Sequence, residues 1–299
     1  MSAILLSLLP DFVLIALGAA LRRSIPQAGW LAIDKLNYFV LFPALIFLAA
    51  LGRRPDWADL LLIGPGVWAI MGLGLALAWL VRPLGPARFL DFAGMWQCAW
   101  RFNTALGFVA IQGFPPEYRG LLSIAVGLAI PVANILAVAG LSRGNAMSLR
   151  HTMTQIALNP FLLASLAGLA LSVADLRPPE IVLAPIDRLS QATLPIAMLS
   201  IGGALHWEAL RRVDPFKMAL LAIKLIALPL TVYAVTTLAG VSHDRATVLM
   251  VFAALPTASA AHVLASVFGA NREEVAVLIA QMTFLGCLTL PLWLILMSV

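Results

Sequence analysis

The chain has 299 residues, 62% of them hydrophobic and only 11% charged, with 19 Lys+Arg against 14 Asp+Glu for a net charge of +5. Soluble domains carry roughly 25% charged residues, so this chain lacks the polar surface to cover a water-soluble globule. A pI near 9.8 does not point to nucleic acid, because the Arg residues are scattered between apolar runs and read as topology signals.

At about 20 residues per span, with a mean hydropathy of +0.98, the length holds about ten membrane helices and leaves no soluble domain over. Apolar runs between charged or Pro/Gly punctuation place them at 3–21, 36–51, 60–81, 91–113, 119–141, 153–174, 188–206, 216–239, 245–268 and 274–297. The second run is short, as it would be if its helix began nearer Ile33. No positive charge precedes the first run and Arg22-Arg23 follow it, which favours a retained helix over a cleaved signal peptide.

The two halves resemble each other. Ile33-Asp34-Lys35-Leu36 recurs 153 residues later as Ile186-Asp187-Arg188-Leu189, Asp91 falls on Asp244, Thr104-Ala105 on Thr257-Ala258 and Arg119 on Arg272. An odd number of spans per copy sends the second copy in from the opposite side. The reading is therefore an all-α membrane protein of ten transmembrane helices, residues 1–146 and 147–299 forming two inverted five-helix repeats, a construction common in secondary transporters. Alternate connections starting with the first carry eleven Lys and Arg, the others six, which puts the first set in the cytoplasm and both termini outside.

No phosphate loop or HExxH motif occurs, and no paired acids or Ser–base combination assembles at bilayer depth, so no enzyme and no cofactor is expected. His151, His206, His243 and His262 are too dispersed to suggest a metal site, and Cys98 and Cys287 suggest no disulfide. What remains is polarity inside the fourth and ninth spans. The fourth holds Gln97, Arg101, Asn103, Thr104 and Gln112; the ninth holds Pro256-Thr257-Ala258-Ser259-Ala260-Ala261-His262. Pro256 lacks the amide that would bond to the Phe252 carbonyl, so its helix should open at mid-depth, and Asn103 occupies the equivalent position in the first repeat. Two spans broken at matching points would leave half-helix ends facing one midplane site.

Arg101 lies ten residues into its span, about 15 Å from Asp91, where a cation costs roughly 2.5–3.5 kcal/mol on insertion scales. Two readings compensate that cost: a guanidinium gripping a substrate carboxylate, or a structural pair with Asp11. Asp11 is also a candidate proton carrier, while Lys224 is expected to snorkel toward the cytoplasmic side. His262 fits packing, gating or proton transfer equally. Asn37 and Gln191 flank the expected path of the broken spans; Asn134, Asn159-Pro160 and Pro195 read as helix-shaping interruptions.

Four stretches then carry a resemblance. They are Leu36-Asn37-Tyr38-Phe39-Val40-Leu41-Phe42-Pro43-Ala44-Leu45, Ala157-Leu158-Asn159-Pro160 with Gly168, Leu194-Pro195 through Ser200-Ile201-Gly202, and Pro256-Thr257-Ala258 with Thr289-Leu290-Pro291-Leu292-Trp293. Together they resemble the auxin efflux carrier family of bacterial and plant transporters, similar in fold to sodium–bile acid symporters. The resemblance implies ten spans divided into a scaffold and an elevator-like transport domain, with the fourth and ninth helices broken and crossing. It implies alternating-access transport of a small organic anion, auxin-like or a malonate- or malate-like carboxylate. Its substrate contacts gather at the crossover, here Asn103, Thr104, Pro256 and Thr257. Sodium-coupled symport and a non-transporting receptor or scaffold of the same fold stay open beside this reading. Expected partners are the organic anion and membrane lipid, with no nucleic acid, and a homodimer is left open. The membrane expected is the cell's inner (plasma) membrane.

Overall fold

The computed structural model describes residues 10, 13–14, 16–52, 57–142, 154, 157–158, 160–204, 211–258 and 260–297. Among them all regular structure is helical. Helix α1 (Gln27–Leu36) runs through a π turn (Asn37–Leu41) into α2 (Phe42–Leu51). Then come α3 (Trp57–Leu80), α4 (Phe89–Trp96), α5 (Thr104–Ala110), α6 (Pro116–Ser142), α7 (Pro160–Val173) and α8 (Glu180–Ala204). Helix α9 (Pro215–Ala222) continues through a second π turn (Ile223–Ala227) into α10 (Leu228–Leu238), followed by α11 (His243–Ala254), α12 (Ala260–Phe268) and α13 (Arg272–Met297).

Five of these stretches are long and apolar enough to cross a membrane: Gln27–Leu51, Trp57–Leu80, Pro116–Ser142, Pro215–Leu238 and Arg272–Met297. The second expected span thus begins earlier than its apolar run, at Gln27. The fourth and ninth expected spans fall short as single helices because each is cut in two, α4 from α5 and α11 from α12.

Both π turns stand just ahead of a proline, Pro43 and Pro229. A helical proline cannot donate to the carbonyl four residues back and its ring crowds that turn. The wider turn absorbs the misfit: the amides of Phe42 and Leu228 bond five residues back, to Asn37 and Ile223. The carbonyl that Pro229 leaves free, on Leu225, accepts from the Trp293 indole at 2.9 Å, which ties the second π turn to α13.

Packing falls into two groups. In the first, α2 packs against α7 and α8, and α8 also against α1. In the second, α3, α6, α10 and α13 surround α11, whose residues Ala246 through Ala254 are all buried. Helix α6 touches α2 and α7 as well, so it joins the groups, and it buries 65% of its most apolar stretch against 29% for Gln27–Leu51.

Candidate functional site

The two interrupted helices meet at their interruptions. Helix α4 tightens into a 3-10 turn over Gln97–Ala99, and residues 101–103 are then without helix until α5 begins. Asn103 caps α5: its side-chain oxygen accepts from the Leu106 amide at 3.3 Å, satisfying one of the helix's free donors. Helix α11 ends at Ala254, residues 255–258 are without helix, and α12 starts at Ala260, as a proline at 256 demands. The Asn103 amide donates to the Pro256 carbonyl at 2.8 Å. Two residues 153 positions apart, each in its half's interruption, are thus bonded directly to each other.

Further bonds fasten the junction. The Gln97 side-chain amide donates to the Ala261 carbonyl at 3.2 Å, and the rings of Phe102 and Phe252 lie 4.5 Å apart. Gly286 of α13 lies against the Pro256 ring, where a Cβ would stand 3.0 Å from its carbons; Gly74 of α3 lies similarly close to the Ala99 carbonyl, at 2.9 Å. Larger residues at either position would push on one interruption.

Within this packing sit polar atoms without partners among the described residues. Arg101 is 6% exposed; its Nη2 donates to the Asn134 side-chain oxygen on α6 at 3.2 Å, and its Nε and Nη1 find no partner among the described residues. The Gln97 side-chain oxygen and the Trp100 indole nitrogen are likewise buried and unbonded among the described residues. Native interiors satisfy almost every buried polar atom, so such a cluster calls for partners beyond the described residues, whether side chain, water or ligand. A guanidinium with free N–H groups offers a carboxylate two parallel charge-assisted bonds.

Of the residues singled out from sequence, Arg101, Asn103, Thr104, Pro256 and Thr257 all lie at this junction, with Thr104 opening α5 at 8% exposed. Asn37 is buried at the start of the first π turn with its side-chain oxygen unbonded among the described residues. His262 follows the second interruption, and its Nδ1 stands 3.0 Å from the Arg272 carbonyl. Gln191 is exposed and donates to Asp187 on its own helix at 2.7 Å. Asp11 and Ser259 lie outside the described residues. Lys224 does not snorkel: its side chain is fully buried. The sequence treated Asn134 as a helix-shaping residue and did not foresee its hold on Arg101, because 33 positions separate them and no local pattern joins them.

Residues 143–294 match the profile of a family described as membrane transport protein. A protein of Rhizobium meliloti (strain 1021) named "Putative malonate transporter" is 26% identical over 295 residues, spanning 94% of this chain and 92% of the relative.

Proposed function

The chain belongs to the membrane transport protein family, the auxin efflux carrier-like group, and from that premise we propose that it is a secondary carrier for a small organic anion. The observation that carries the proposal is Arg101: a buried guanidinium at the junction of two interrupted helices, held by a neutral amide, with two nitrogens free among the described residues. Its charge selects an anion, and its flat fork suits a carboxylate. The relative named for malonate supports a small mono- or dicarboxylate as cargo.

In this reading the fourth and ninth spans cross at the Asn103–Pro256 bond, inside a ten-span bundle of two inverted repeats with both termini outside the cell's inner membrane. The bond joins residues at positions equivalent by the 153-residue offset, which supports a pseudo-two-fold axis between inverted repeats. Helices α2, α7 and α8 supply the scaffold, and the group around α11 moves as the transport domain. The substrate carboxylate sits on Arg101, with Asn103, Thr104 and Thr257 lining the junction. Alternating access exposes that place to one side and then the other.

The test is counterflow. Purified protein in liposomes preloaded with unlabelled malonate should draw in radiolabelled malonate, or another carboxylate from a mono- and dicarboxylate panel, with no ion gradient. Counterflow that needs sodium would favour the sodium-coupled reading, and its absence for every acid on the panel would contradict the carrier assignment.

A further inference from the structure

The helix Pro215–Leu238 carries a second buried cation, which the junction does not use. Lys224 lies in the π turn Ile223–Ala227 at 0% exposure, and its Nζ has no hydrogen-bond partner among the described residues. The turn packs against α3, α11 and α13. Charged residues on those helices are confined to their first turns: Asp59 on α3; His243, Asp244 and Arg245 on α11; Arg272, Glu273 and Glu274 on α13. Deeper along them the remaining titratable group is Cys287, and on the same helix Lys217 is held by Asp214 and Glu274 while Tyr233 lies further on. Cys98 and Arg101 are the titratable groups of the neighbouring interruption.

Among the described residues no counter-charge is therefore placed beside Lys224, where a permanent cation is costly. A guanidinium could not escape that cost, but an amine can release its proton. The surroundings also link it to the junction. Leu228, one turn on, and Trp100 both lie 3.1 Å from where a Gly74 side chain would begin, so the helix face bearing Lys224 leans on the first interruption. π turns are frequent at functional sites.

We propose that Lys224 is the proton-coupling site of the carrier, protonated while the substrate anion is bound and neutral when the site is empty, so that one proton travels with the anion. This rests on the anion-carrier reading. The ammonium gives its proton to water on the side where substrate leaves and becomes a neutral amine; it takes a proton from water on the side where substrate binds. Only an N–H bond breaks and re-forms. In an interior of low dielectric a bound anion favours the ammonium, and by reciprocity the ammonium tightens anion binding.

The experiment compares native protein, Lys224→Met and Lys224→Arg in liposomes with radiolabelled malonate, or whichever acid the counterflow panel selects. Each is assayed for counterflow without a gradient and for uptake with the outside one pH unit more acidic. One unit drives about tenfold accumulation per coupled proton. Native protein should approach that figure. Lys224→Met should bind and exchange the acid more weakly and lose accumulation, and Lys224→Arg, permanently charged, should also fail to accumulate. Native counterflow with no response to the gradient overturns the inference and leaves the carrier reading standing. A gradient response retained by either variant also overturns it, so one folded variant suffices. Failure of native counterflow across the panel instead removes the carrier reading itself.

Discussion

Lys217 and Arg101 are buried almost equally, at 4% and 6% exposure, and the fold treats them in opposite ways. Lys217, at the start of its span, bonds the Asp214 carboxylate at 2.9 Å, the Glu274 carboxylate and the Arg212 carbonyl at 3.3 Å. Arg101, at a helix interruption, has one side-chain partner among the described residues, the neutral amide of Asn134. A cation kept for structure is given its counter-charge by the protein. One that is oriented by an amide, with no acid bonded to it among the described residues, keeps its electrostatic attraction for a ligand.

The sharpest way to break that contrast is to give Arg101 what Lys217 has. Asn134→Asp places a carboxylate on the guanidinium, so anion affinity should fall by roughly a hundredfold or more while thermal stability holds or rises. Binding titration and melting of the same preparation check both halves. Next in size is Pro256→Ala, which restores an amide and lets the helix close across the junction. Uptake should fall about tenfold with insertion intact; normal uptake by a normally expressed variant would separate the interruption from function. Gly286→Ala should act more mildly, since its Cβ would meet the rigid Pro256 ring at 3.0 Å, costing about 1–3 kcal/mol of stability.

The smallest expected effect concerns the Lys217 end. Burial alone would raise the Asp214 pKa, but backbone and side-chain hydrogen bonds and charge from Lys217 outweigh it and hold the carboxyl below its usual 3.8. A group depressed in the folded state adds stability above its ordinary value and loses it as pH falls through the folded one. Melting temperature should thus decline below about pH 4 in the native protein, and less steeply in Asp214→Asn.

The break at Pro256, its mate at Asn103 and the burial of Arg101 were legible because each follows from one residue's chemistry and its distance along a span. Lys224 misled because position along a helix gives distance from the ends and not which neighbours close over the side chain. Asn134 and Trp293 gained their roles from long-range contacts, to Arg101 and to the Leu225 carbonyl, that no local spacing encodes. Gln191 stood at a plausible depth yet faces outward and bonds to Asp187, since an exposed amide is satisfied one turn away on its own helix.

The central claim is that Arg101 is held in place to receive a carboxylate. The most direct measurement is malonate binding alongside thermal stability for Arg101→Lys and Arg101→Gln. Arg101→Lys should bind markedly more weakly, having charge without the fork, and Arg101→Gln should lose binding while melting at or above the native temperature. Binding unchanged in Arg101→Gln, with the protein destabilised, would make Arg101 a structural cation and contradict the account.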